Sequence, residues 1–158
     1  YLNDKLIGEK ETGKENYTAT FDVPYEPGTL KAVNSKGKEE FVLKTAGEPA
    51  AIRLIADRSK IKACKNDLSY VKIELVDKNG NVVPETSLPV KIECTGKGTV
   101  IAGGNAAYAD MESFRSLTPN TFRGKAIAIV QPDGEKGDIQ VKVSAKGLED
   151  ASIVITTY

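Results

Sequence analysis

The chain carries 22 acidic residues but neither a histidine nor a tryptophan. Without histidine the commonest acid–base group and metal ligand is missing, so the usual nucleophile triads and most zinc sites are excluded. Chemistry then falls to carboxylates and thiols. Carboxylates that share nucleophilic and acid–base work must stand about 5 Å apart on a rigid frame. Glu39 and Glu40, and Glu149 and Asp150, are neighbouring pairs, but each sits beside a predicted turn. Turn carboxylates lack the burial that perturbs a pKa. No catalytic residue is assigned. Asp77-Lys78-Asn79-Gly80-Asn81 has the oxygen spacing that opens a calcium loop, yet Leu88 stands where such a loop places its bidentate glutamate. An inter-strand turn, with Asn and Gly accepting positive φ, accounts for the same residues. No metal site and no cofactor are assigned.

One further cluster is a candidate for binding. Tyr108, Phe114 and Phe122 frame a long aperiodic segment, residues 103–120, that also holds Asp110, Glu112 and Asn120. An exposed ring at Tyr108 beside Asp110, Glu112 and Asn120 can stack on a sugar face and hydrogen-bond its hydroxyls. The alternative has Phe114 and Phe122 packing the segment onto the body of the domain, as long loops often do through their own side chains. Packing is the favoured reading, because the missing tryptophan removes the best stacking platform. Of the two cysteines, Cys94 shares a strand face with Val90 and Ile92 and reads as a small hydrophobe, while Cys64 lies in a polar strand end. Two free thiols are expected; a disulfide between them is the alternative.

The elements that position these groups are strands. Residues 68–94 hold two alternating runs around one turn. Leu68 and Tyr70 interleave with Ser69, Lys72 and Glu74, and Val90, Ile92 and Cys94 interleave with Lys91 and Glu93. A period of two marks a strand with one face buried and one wet. Pro84 and Pro89 keep the connection out of a central strand. Further strands are predicted at residues 16–23, 29–33, 40–44, 51–56, 99–102, 122–130, 138–144 and 152–157, with a hairpin over residues 1–8 and turns at residues 24–28 and 35–38. No helix is predicted. Strands recurring every 8–12 residues with Gly, Pro and Asn between them indicate an all-β chain of immunoglobulin-like β-sandwiches. The break at Thr45-Ala46-Gly47-Glu48-Pro49 divides it. The expectation is two consecutive modules, residues 1–46 and 47–158, the first truncated at its N-terminus because only Tyr1 and Leu2 precede the opening turn. Residues 1–45 should then be unable to close their own sheet, and either be mobile or pair through the open edge with another molecule.

The chain is 158 residues long and 40% hydrophobic, enough for a packed core. With 22 basic and 22 acidic residues, no field favours nucleic acid or an anionic membrane. The longest apolar runs are strand-sized, well short of the ~20 residues of a membrane helix. No nucleic-acid or membrane partner is expected.

Several stretches together resemble the C-terminal, non-catalytic part of bacterial family 2 glycoside hydrolases of the β-galactosidase type, in particular those of Bacteroidetes. Residues 2–8 and 21–33 resemble the hairpin and strand–turn–strand of a domain that follows the catalytic barrel in such enzymes, with Asp4 where a glycine is usual. Residues 45–50 resemble the joint to the last module. Within that module, residues 56–59, 67–71, 76–84, 111–114 and 122–130 fit the pattern, whereas residues 103–110 depart from it. The resemblance implies an accessory role in carbohydrate metabolism: bracing the barrel, completing an interdomain surface or supporting oligomer contacts. It implies that the upstream barrel of the same polypeptide is the partner, that the catalytic glutamates lie in that barrel, and that the location is periplasmic or extracellular. Two other readings stay open. One is a carbohydrate-binding module using the 103–120 loop with a glycan as partner. The other is a cell-surface spacer, because invasin-type repeats share the Asp-x-x-Gly-Asn-x-x-Pro turn found at Asp77, Gly80, Asn81 and Pro84.

Overall fold

A computed structural model of the chain describes residues 1–13, 17–35 and 37–158. It is all-β: ten strands and no helix among the described residues. The chain divides into two compact units, Tyr1–Thr45 and Ala46–Tyr158.

The first unit opens on a tight turn. Asn3 and Asp4 both adopt left-handed φ, at 49° and 64°, and Leu2 and Lys5 exchange two backbone hydrogen bonds of 2.9 Å across it. Such a pair of positive φ values suits Asn and Asp, whose short polar side chains tolerate that region. The turn lies along β1 (Thr29–Val33), with the Asn3 amide donating to the Thr29 carbonyl at 2.8 Å and the Lys31 amide to the Tyr1 carbonyl at 2.9 Å. On its other side β1 pairs antiparallel with β2 (Glu40–Lys44). Among the described residues no buried hydrophobic residue belongs to this unit, and all five residues of β2 are exposed. The strand expected over residues 16–23 is not there: residues 17–23 form no strand, and residue 16 lies outside the described residues. That segment alternates, but β1 is already flanked on both sides, and alternation without a backbone partner does not make a strand. Residue 36 of the expected 35–38 turn also lies outside the described residues.

The second unit is a β-sandwich. One sheet runs β3 (Ala51–Ala56), β5 (Ser69–Val76), β8 (Lys125–Pro132), β7 (Gly98–Gly104); the other runs β4 (Lys60–Ile61), β10 (Ala151–Thr157), β9 (Gly137–Ala145), β6 (Val90–Gly96). All pairings are antiparallel except β10 with β4. Val71, Ile73, Leu75, Ala128 and Val130 from the first sheet meet Ile92, Ile139, Val141, Val143 and Ile155 from the second, each almost fully shielded from water. Burial of that many branched side chains is what holds the layers together, at about 1.5–3 kcal/mol for each.

Three expectations are corrected here. In β5 the buried face is Ser69-Val71-Ile73-Leu75, while Tyr70 points outward and is 42% exposed. The inversion is possible because the buried Ser69 hydroxyl donates to the Arg58 carbonyl at 2.8 Å, leaving no unpaired polar group in the core. Glu74, expected on the wet face, is buried beneath Arg53, which donates to its Oε2 through Nε at 2.9 Å and Nη2 at 2.7 Å. The strand expected from residue 122 begins at Lys125. Phe122 and Lys125 face each other across a turn at Arg123 (φ 50°) and Gly124 (φ 71°). Gly124 also allows a close approach, since a Cβ there would stand 2.3 Å from the Val83 carbonyl oxygen. The two-residue β4 had no counterpart among the predicted strands.

The two outer faces of the sandwich differ in kind. On the β4-β10-β9-β6 sheet the outward positions are mostly polar, with ion pairs Lys91–Glu93 at 2.8 Å and Lys142–Asp150 at 2.7 Å. On the β3-β5-β8-β7 sheet they include Ile55, Tyr70, Ile101 and Ile127, all exposed.

Replacing Ile73, central in β5 and fully buried, leaves a cavity between the sheets. Ile73→Ala is expected to cost about 2–5 kcal/mol. Urea unfolding checks this: the midpoint should fall with the slope unchanged.

Candidate functional site

The loop over residues 105–120 leaves β7 and returns to β8, and its backbone is tied down along the way. β6 and β7 are the edge strands of their sheets on the same side of the sandwich. The Val90 and Ile92 amides of β6 donate to the Pro119 and Leu117 carbonyls, at 3.0 and 2.8 Å, and the Gly103 amide of β7 donates to the Phe114 carbonyl at 2.7 Å. One segment therefore satisfies both open edges. Its return is fixed by Thr121, which is buried: the Leu88 amide donates to its Oγ1 at 2.9 Å, and its own amide donates to the Leu88 carbonyl at 2.8 Å.

The four residues singled out for sugar binding fall on this loop, and the structure draws three of them together. Asn105 Nδ2 donates to Asp110 Oδ2 at 2.5 Å and to the Asn120 carbonyl at 2.9 Å. The Glu112 amide donates to Asp110 Oδ1 at 2.9 Å, and Asn120 Nδ2 donates to Glu112 Oε1 at 3.2 Å. Asn105, which the sequence reading did not select, is the hub. Its signal was there in the Asx-turn habit of asparagine, seen in the Ala107 amide donating to Asn105 Oδ1 at 2.7 Å. Tyr108 stands apart from this network, its side chain 99% exposed. Gly103, Gly104, Asn105, Asp110, Glu112 and Phe114 help line a hollow of about 30 Å³. That holds water, not a sugar ring.

The aromatic residues divide. Phe122 is half-buried, with Arg123 lying 5.6 Å from its ring centre. Phe114 is 70% exposed, yet its ring lies over Gly104 so closely that a Cβ there would come within 2.8 Å of it. Met111 is nearly as exposed as Tyr108.

Asp77, the first residue of the candidate calcium loop, is a receiver of N–H groups. Its Oδ1 accepts from the Asn79 and Asn81 amides at 2.9 and 2.8 Å, and its Oδ2 from the Gly47 amide at 2.9 Å and Asn81 Nδ2 at 3.1 Å. The Gly47 amide first, then Asn81, holds its pKa down at about 2. Four donors occupy the lone pairs that a cation would need. A second carboxylate behaves likewise: Asp67 accepts from Arg58 Nη1 at 2.6 Å and from the Lys62 amide at 2.7 Å, which lowers its pKa. Among the described residues no cluster of three His, Cys, Asp or Glu could hold a metal. Cys64 and Cys94 are both free, the first exposed and the second half-buried, and burial pushes the Cys94 thiol's pKa up.

Comparison with known proteins gives this architecture its place. Residues 52–154 match the family model described as glycoside hydrolase family 2 C-terminal domain 5, and residues 1–41 match that of a domain of unknown function. The chain is 32% identical to a β-galactosidase of Bacteroides ovatus over 99% of its own length, which is 19% of that protein. It is 27% identical to a β-glucuronidase of Formosa agariphila, covering 98% of this chain and 16% of that one. A solved family 2 glycosyl hydrolase from Bacteroides cellulosilyticus superposes with a TM-score of 0.93 at 36% identity, over 100% of this chain and 21% of its own. The chain thus spans about a fifth of the length of the relatives it matches. It belongs to the glycoside hydrolase family 2 C-terminal domain 5 family. The residues that carried the resemblance in sequence, Arg58, Asp67, Asp77 and Asn81 among them, are hydrogen-bonding partners within turns.

Because the folded-state pKa of Asp77 lies below its ordinary 3.8, the stability it contributes is complete above about pH 4 and is lost as the pH falls towards 2. Asp77→Asn should lower the melting temperature by several degrees at pH 7, and the gap to the unaltered chain should close between about pH 4 and pH 2. Melting curves across that range check it; a constant gap speaks against the assignment.

Proposed function

We propose that this chain is a non-catalytic accessory region of a β-galactosidase-like glycoside hydrolase, serving to support the catalytic barrel of the same polypeptide. The observation that carries this is the full-length match to about a fifth of much longer hydrolases. The site chemistry agrees with it. The candidate carboxylates Asp110 and Glu112 accept hydrogen bonds from Asn105 and Asn120, and their hollow is too small for a sugar. A location outside the cytoplasm and contacts between copies through residues 1–45 belong to the same proposal. The all-exposed β2 strand supports the latter. The isolated chain should show no turnover of a chromogenic β-galactoside, while the polypeptide extended upstream through its barrel should hydrolyse one. Turnover by the isolated chain, abolished by a single carboxylate substitution, overturns the reading.

A second reading, glycan binding, draws on the fully exposed Tyr108 ring. Stacking on an aromatic face needs no cleft. Calorimetric titration with galactosides decides: a heat signal at millimolar sugar that Tyr108→Ala abolishes establishes it, and no signal retires it.

A further inference from the structure

The outer face of the β3-β5-β8-β7 sheet carries exposed apolar side chains that no other element of the second unit covers. In register, Tyr70 stands beside Ile129 and then Ala102, while Ile55 stands beside Lys72, then Ile127, then Gly104. Ile101, the extra residue of the β-bulge in β7, is exposed at the margin, and Phe114 from the loop lies over Gly104. Ile55, Tyr70, Ile127 and Ile129 therefore share one outer face, with Lys72 set among them and Ile101 and Phe114 at its β7 margin. The opposite face of the same sandwich is mostly polar and ion-paired, with Val154 its one exposed large apolar side chain among the described residues. Contiguous apolar patches on soluble proteins mark interaction surfaces.

We propose that this face docks against the segment of the same polypeptide that precedes Tyr1, the part holding the catalytic barrel. This rests on the accessory reading above and names the surface through which it acts. Three observations select that occupant. Relatives that this chain matches end to end are about five times longer, so a large covalently linked neighbour is at hand. Four strands at about 4.8 Å and rows of five residues at about 3.4 Å give roughly 300 Å² on this side. Counting both partners, that reaches the roughly 600 Å² at which interdomain interfaces within one chain begin. A tethered partner needs no larger area, because linkage supplies a high effective concentration. Finally, Lys72 and Lys125 on this face have no ion-pair partner among the described residues, while the neighbouring Glu74 is taken by Arg53. The complementary surface is accordingly apolar with carboxylates set among the apolar groups.

Thiol accessibility tests this. Ile127→Cys, and separately Tyr70→Cys, are placed in the 158-residue chain and in the polypeptide extended upstream through its barrel, with Gln140→Cys on the polar face as control. Maleimide labelling is followed peptide by peptide, so the native cysteines do not interfere. Positions 127 and 70 should label at least tenfold more slowly in the extended polypeptide, with position 140 labelling equally in both. Equal rates at 127 and 70 overturn the proposal. So does protection already present in the 158-residue chain that grows with protein concentration, since the occupant is then a second copy. Turnover by the extended polypeptide is measured alongside. If it hydrolyses a galactoside while labelling is equal, the docking face is wrong and the accessory reading stands; if it has no hydrolase activity, that reading fails whatever the labelling shows.

Discussion

An edge strand must satisfy its outward N–H and C=O groups or offer them to another chain. That constraint shapes the larger unit. β6 and β7 follow one another in sequence but belong to different sheets, and they expose their free edges side by side. Closing both with further strands would require two more elements. The chain uses one irregular segment instead, lending the carbonyls of Leu117 and Pro119 to β6 and that of Phe114 to β7. The length of the loop, its lack of periodicity and its return through the buried Thr121 all follow from that double task. On the far side, β4 is only two residues long and presents little edge to protect.

Much of the fold was legible because the inward positions of β6 and β9 alternate cleanly with polar residues. The misreadings share a cause: pattern was taken for pairing. Residues 17–23 alternate but have no strand to join. Ser69 and Tyr70 were placed on the wrong faces because a hydroxyl looks wet and a ring looks buried, until the Arg58 carbonyl is seen to satisfy the first. Glu74 is buried because Arg53 on the adjacent strand covers it, a fact of register that a single strand cannot show. The candidate site was legible as a cluster of residue types, and the loop does gather Asp110, Glu112 and Asn120. What spacing could not reveal is that Asn105 and Asn120 already engage those carboxylates.

Three carboxylates are held ionised by their neighbours. Those with lowered pKa values, Asp67, Asp77 and Glu93, owe them to nearby N–H donors or to Lys91. Such groups stay ionised at neutral pH and anchor turns or strand pairs. A general acid needs the opposite, a carboxyl whose pKa is raised by burial. Asp67 and Asp77 fix backbone geometry, each accepting main-chain N–H groups.

The way the long loop is fastened has an evolutionary corollary. Every amino acid brings a backbone carbonyl, so the bonds that close β6 and β7 do not depend on which residues occupy positions 114, 117 and 119. Between those points and Asn105, side chains such as Tyr108 and Met111 project freely and carry no structural duty. Positions 108 and 111, unlike the hydrogen-bonded Asp110 and Glu112 between and beside them, can accept substitutions without loss of stability, which makes them a natural place for sister proteins to diverge and for an engineer to introduce new recognition side chains.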